Sequence, residues 1–358
     1  MDHAAADPLR IVFLGTPEFA VPVLRALAGS GDRVVAAVSQ ADKEKGRGRK
    51  VEPTPVKAFA LERGIEVLQP AKLSDPAFEE RVRALAPDLF VTAAFGKILR
   101  PRTLALPRLG CLNVHGSLLP KYRGAAPIQW AVLRGETRTG ITIIRMDEGM
   151  DTGPVLLSRA LEIGPGETAG ELAVRLAALG AECILEAIRR LKDGTLAETP
   201  QRHEEATLAP MLKREDGRID WTRSAADLAC FVRGMHPWPC AYTLHEGALL
   251  KVHRARVAIG PAPDSVAQPP SAVPGSSSSV RTQQNTAGGG CVTTDVAQPG
   301  AAVPHNPGTV LEAAKRIVVA AGEGALELVE IQAEGRKRLA AADFLNGFPL
   351  RPGAVLGG

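Results

Sequence analysis

The sequence lacks any apolar run near the roughly 18 residues of a membrane-spanning helix, which excludes a helical integral membrane protein. Its opening, MDHAAADPLR, has no basic region followed by an apolar stretch, so a secretory signal is not expected. Cysteine is sparse: five residues, at 111, 183, 230, 240 and 291, an odd number with no CxxC pair. That argues against a disulfide framework or a paired-cysteine zinc site and for reduced thiols in the cytosol. The first strand-to-helix turn, GTPEFA, lacks the later glycines of a dinucleotide fingerprint and the GxxxxGK[ST] of a P-loop. The GRGRK stretch at 46–50 is glycine-rich and basic, but it does not open a helix and so is no phosphate cradle of either kind.

What is present is an ordinary globular composition, 45% hydrophobic and 23% charged, in a chain of 358 residues. That length fits two domains and rules out a wholly disordered or fibrous chain. The net charge of +4 permits an acidic or nucleic-acid partner without requiring one. Strand and helix signals alternate over the first 200 residues. Strands are expected at Arg10–Gly15, Val34–Ser39, Leu89–Phe95, Cys111–Val114 and Ile141–Met146. Helices are expected over 19–31, with Thr16 as N-cap, and over 55–64, 75–86, 125–133 and 168–191. The alternation predicts an α/β fold with a doubly wound, mostly parallel sheet over 9–207.

The second half changes character. Short alternating runs broken by glycine, such as Leu249–Val257 and Arg316–Ala320, predict a small β-barrel domain built from 208–260 and 308–358. Between these pieces, residues 261–307 are rich in Pro, Ser, Gly, Ala and Gln, and contain no aromatic residue and no Leu, Ile or Met. They carry a near-repeat, VAQPPSAVP at 266–274 and VAQPGAAVP at 296–304. Such a segment cannot bury enough apolar area to offset its ordering entropy, so a disordered surface insertion is expected.

Two strand ends carry the chemistry. Asn113 and His115 stand two apart where CLNV runs into HGSLLP, so their side chains share one face of an extended segment. An amide NH₂ beside an imidazole can stabilise an oxyanion formed at a carbonyl. A turn-forming Asn beside a satisfied histidine is the plainer reading of the same pair. The strand TGITIIRM then ends in the acidic loop DEGMDTG, in which Asp151 could orient the histidine or take a proton. An Asp-rich turn, or metal binding by Asp147, Glu148 and Asp151 without the EF-hand pattern, stays open at this point.

At these residues the sequence resembles the folate-dependent formyltransferases. The matching pieces are FLGTPEFA (13–20), GRGRK (46–50), PVKAFA (55–60), GCLNVHGSLLPKYRGAAPIQWA (110–131), TGITIIRMDEGMDTGPVL (139–156), RIDW (218–221), PWP (237–239) and PGTVL (307–311). The resemblance implies a Rossmann-like formyltransferase domain followed by an OB-like barrel. It implies transfer of the formyl group of 10-formyltetrahydrofolate to the α-amino group of methionine on an initiator tRNA, with no metal. Asn113, His115 and Asp151 fall on the catalytic trio, and Ser117, Leu118, Leu119 and Pro120 on the folate loop. Phe95, Gly96, Ile98 and Leu99 match the segment whose backbone receives the pterin ring. The loop 40–50 carries Lys43, Lys45, Arg47, Arg49 and Lys50 and matches the loop that inserts near the acceptor stem; Lys213 and Arg214 add basic charge at the barrel. A cytoplasmic monomer is expected. Other acceptors on the same scaffold, a ribonucleotide or sugar amine or water, remain as alternatives, as does a silent RNA-binding module.

Overall fold

Contiguous apolar runs make the central strands of the first sheet, as burial on both faces requires. The computed structural model describes residues 7–45, 50–259 and 305–357. In the first half the strands are β1 (Arg10–Gly15), β2 (Arg33–Val38), β3 (Lys43–Lys45), β4 (Lys50–Glu52), β5 (Val67–Leu68), β6 (Leu89–Ala93), β7 (Cys111–His115), β8 (Arg138–Arg145) and β9 (Val155–Glu162). Seven of them form one sheet in the order β5-β2-β1-β6-β7-β8-β9, and β3 and β4 pair as a separate hairpin. The pairs from β5 to β7 are parallel; β8 and β9 run antiparallel at one edge. The doubly wound, mostly parallel sheet is therefore as expected.

The helices are α1 (Val21–Ala28), α2 (Pro55–Glu62), α3 (Pro76–Ala84), α4 (Pro101–Leu104), α5 (Pro127–Leu133) and α6 (Ala169–Lys192). Alternate residues of β1 divide between two cores. Ile11 and Phe13 pack with Leu24 of α1 and Leu172 and Leu176 of α6, whereas Val12 and Leu14 pack with Phe78 and Val82 of α3. Thr54 and Asp75 cap α2 and α3 by accepting from backbone amides. Thr16 does not cap a helix as expected. A 3₁₀ turn, Glu18–Ala20, precedes α1, and the Thr16 hydroxyl instead bridges the β1, β2 and β6 loops, accepting from Gln40 N at 3.3 Å and donating to Phe95 O at 3.4 Å.

The second half contributes α7 (Ala225–Met235), β10 (Ala241–His245), β11 (Ala248–Val257), β12 (Val310–Ala313), β13 (Ile317–Ala320), β14 (Ala325–Ala333), β15 (Leu339–Ala340) and α8 (Ala341–Gly347). These strands form an antiparallel sheet in the order β10-β11-β14-β13-β12, with β15 on β14. The sheet has its own core, which includes Trp221, Leu228, Val232, Leu250, Val252, Ile317, Leu328 and Phe344. Of the expected insertion, residues 261–304 lie outside the described residues. No helix among the described residues is long and apolar enough to cross a membrane.

Candidate active site

In an open α/β sheet, ligands meet the carboxyl ends of the strands where the strand order reverses. Here that place is β1, β6 and β7. Thr92 on β6 lies directly beside Asn113 on β7, and its hydroxyl donates to Asn113 Oδ1 at 2.6 Å. Asn113 Nδ2 faces away from Thr92 and donates to Asp151 Oδ1 at 3.3 Å, and because that carboxylate only accepts, it fixes which end of the amide is which. His115, two residues on, is buried. Its Nε2 lies 2.9 Å from the carbonyl of Tyr122. A carbonyl only accepts, so Nε2 carries the proton and Nδ1 is left facing Asp151 Oδ2 at 3.6 Å.

Asp151 comes from the tip of the β8–β9 hairpin, residues 146–154. Because β8 runs against β7, the hairpin tip has to turn back to reach the face of β7 that carries Asn113 and His115. Several ties hold it there. The Gly124 amide donates to Asp151 Oδ2 at 2.9 Å. Gln201 Nε2 donates to the carbonyls of Asp151 at 2.9 Å and Gly153 at 2.7 Å. The Arg123 guanidinium in turn grips Gln201 Oε1 at 3.1 and 2.7 Å. Asp151 sits at φ 55°, a left-handed conformation that a side-chain-bearing residue keeps only under such constraint. Gly153 allows the tip to close, since a Cβ there would lie 1.8 Å from the Arg145 carbonyl. Asp147 is occupied within the turn by Gly149 N and Thr152 Oγ1. A cleft of about 340 Å³ opens beside the tip, lined by Thr152, Pro154, Glu198, Pro200, Gln201 and His203, and none of the trio lines it. An amide donor, an imidazole and a carboxylate thus converge on one point.

The chain matches the family described as formyl transferase over residues 9–188 and the formyl transferase C-terminal domain over 211–349. It is 44% identical over 350 residues to a methionyl-tRNA formyltransferase of Geobacter sulfurreducens, covering 98% of this chain and 97% of that protein. This chain belongs to the formyl transferase family. A second relative, the methionyl-tRNA formyltransferase of Myxococcus xanthus, is 45% identical over 346 residues, 96% of this chain and 97% of that one. Two solved structures share the fold. The N-formyltransferase from Helicobacter canadensis, in complex with folinic acid and dTDP-3-aminofucose, superposes with a TM-score of 0.60 at 14% identity, covering 89% of this chain and 98% of that one. HypX from Aquifex aeolicus in complex with tetrahydrofolic acid gives 0.57 at 17%, covering 98% and 51%.

In this formyl transferase the two segments matched to folate follow neighbouring strands, 95–99 after β6 and 117–120 after β7. Phe95, Leu99 and Ser117 turn their side chains inward. Ser117 Oγ donates to Lys121 O at 2.6 Å, so these three can meet a ligand only through backbone. Gly96 (φ 74°) and Ile98 are exposed, and Leu118, Leu119 and Pro120 are half-buried. Thr142 ties this loop, donating to Ser117 O at 2.7 Å and accepting from Leu119 N at 3.1 Å. Of the basic residues, Lys43 is exposed and lies on β3, while Lys45 and Lys50 close the β3–β4 hairpin in register. Arg47 and Arg49 lie outside the described residues. Lys213 and Arg214 are exposed. Sequence reasoning missed Thr92, Tyr122, Arg123, Gly124 and Gln201. Arg123 and Gly124 lie within the matched KYRGAAP stretch and could have been found there; Gln201, 50 residues beyond Asp151, carries no local signal.

Proposed function

We propose that this chain transfers the formyl group of 10-formyltetrahydrofolate to the α-amino group of methionine on initiator methionyl-tRNA, as a cytoplasmic enzyme of translation initiation. The observation that carries this reading is the convergence of Asn113 Nδ2, His115 and Asp151 in a formyl transferase whose 44–45% identity to methionyl-tRNA formyltransferases runs through both domains.

The nucleophile is a primary amine. An aminoacyl α-amine has a pKa of about 8 or below, so a useful fraction is neutral at pH 7. Its nitrogen attacks the formyl carbon, and the new C–N bond pushes an electron pair onto oxygen. Asn113 Nδ2 donates to that oxyanion, and His115, protonated on the Nδ1 that faces Asp151, adds positive charge beside it. Asp151 orients His115 and takes the proton released from the ammonium, directly or through water. The tetrahedral adduct then collapses. The bond to the folate nitrogen breaks, its electron pair stays on that nitrogen, and a proton completes tetrahydrofolate. The segment 96–98, with Gly96 and Ile98 exposed, and the loop 117–120 receive the folate. The basic β3–β4 loop, with Lys43, Lys45, Arg47, Arg49 and Lys50, and the Lys213–Arg214 pair meet tRNA phosphates.

The test is formyl transfer from 10-formyltetrahydrofolate to three acceptors: charged initiator methionyl-tRNA, glycinamide ribonucleotide and water. Transfer to the tRNA that falls at least about 100-fold in His115→Ala is expected. Transfer to the small amine or to water in preference to the tRNA would overturn the acceptor assignment. Transfer undiminished in His115→Ala would overturn the trio.

A further inference from the structure

A second cluster of chemistry-bearing side chains lies far along the chain from the trio. His236 follows α7, Cys240 precedes β10, and His253 lies on β11. One donor atom from each falls within 4.8 Å of the others. Cys240 Sγ is 3.6 Å from His253 Nδ1. In a tetrahedral zinc site, bonds of about 2.3 Å to sulfur and 2.0–2.1 Å to nitrogen put those two atoms about 3.6 Å apart.

The tautomer of His253 follows from its neighbours. Gln332 Nε2 donates to Arg336 O at 2.8 Å, so Gln332 Oε1 is the atom that faces His253 Nε2, at 3.0 Å. That oxygen accepts, so Nε2 carries the proton and the Nδ1 lone pair points at the thiol. A metal-ligating histidine is ordinarily fixed by such an outer partner. His236 Nδ1 is buried and has no hydrogen-bond partner. Cys240 sits at φ 73°, a left-handed conformation in which glycine would be the easier residue. Of the cations nearby, Arg254 pairs with Glu171 and Arg338 with Glu330, while Lys251 adds one positive charge.

We propose that His236, Cys240 and His253 bind one zinc ion, with a fourth position open to water. On binding, the Cys240 thiol loses its proton to solvent, and the thiolate offsets part of the ion's charge. The site adjoins the first turn of α6, where Gly170 N donates to His236 O at 3.1 Å. A Cβ on Gly170 would lie 2.7 Å from Pro237 Cδ, so helix and loop are in contact there. An ion held by the loop and β11 therefore braces the junction between the two halves of the chain.

Cobalt(II) titration of the tag-free full chain tests this without reference to formyl transfer. One Co²⁺ per chain is expected, with sulfur-to-cobalt charge-transfer absorption, displacement by Zn²⁺ and a Tm that rises with Zn²⁺ concentration. Cys240→Ser abolishes the charge-transfer band. Gln332→Ala leaves all three donors in place but weakens the affinity about 10–100-fold, and it stands in for Cys240→Ser should that variant fail to fold. Absence of the band in the parent chain, its persistence in folded Cys240→Ser, or unchanged affinity in Gln332→Ala would each overturn the proposal.

Discussion

Asn113 is useful to an oxyanion only while its NH₂ faces the reacting centre, and the Thr92 hydroxyl on one side and the Asp151 carboxylate on the other hold it so. With the Thr92 hydroxyl donating to Oδ1, a flipped amide would lose that bond and turn its oxygen toward the Asp151 carboxylate. Thr92 is 2% exposed, so no water replaces it. Thr92→Val keeps the shape and removes the donor. It leaves Asn113 Oδ1 unpaired at a cost of about 1–3 kcal/mol, and the amide is then held only by its longer bond to Asp151. We expect kcat to fall about 10-fold, against about 10²–10³ for Asn113→Ala. The double variant should be no slower than Asn113→Ala alone, because Thr92 acts through that amide. A double variant whose loss is the sum of the two would show that Thr92 acts elsewhere. The Asn113–His115 pair was legible in the sequence because a strand fixes its period at two. Thr92 and Gln201 were not, since each reaches the site through tertiary placement and no local pattern marks it.

Elements differ in how much of themselves they write into sequence. The central strands β1, β2 and β6 are continuous apolar runs and could be read directly. β9 could not: VLLSRALE is an edge strand with only Leu156 buried, and it shows neither alternation nor a run. The start of α6 was legible from Thr168 and Glu171, three residues apart, which form a capping box with both reciprocal bonds made. That box also has a pH signature. The Thr168 backbone amide, its hydroxyl and Arg254 hold the Glu171 carboxyl down to about 2 from an ordinary 4.5. The folded chain therefore favours the charged form. The contribution is full above about pH 4.5 and is lost as pH falls toward 2. We expect Glu171→Gln to lower the urea midpoint at pH 7. The gap to the parent chain should narrow steadily below pH 4.5. A gap that stays constant from pH 7 to pH 3 would mean that the charge contributes nothing.

On the scale of the whole molecule, the antiparallel sheet explains how one domain can be written as two separated pieces of chain. The sequence showed that the pieces exist, because the segment between them carries so little apolar content. It did not show their pairing, which depends on long-range register. Val257 at the end of β11 pairs with Leu326, Leu326 with Val319, and Val319 with Val310 at the start of β12. The chain therefore leaves and re-enters at one end of the sheet, three strand spacings apart, or about 14 Å. Removing residues 264–304 would leave 258–263 and 305–309 to join the two strands. Extended chain covers about 3.3–3.6 Å per residue, so half of those residues could make the span. Each halving of a loop lowers its closure cost by only about 0.6 kcal/mol, so stability should change little and in the favourable direction. None of the trio, the folate-matched segments or the named basic residues falls within the deletion. We expect the purified deletion variant to keep its Tm within a few degrees and kcat/KM for the charged tRNA within about 2-fold. A folded variant with kcat/KM reduced 10-fold or more would assign the segment a part in substrate binding that neither its composition nor its place in the chain indicates.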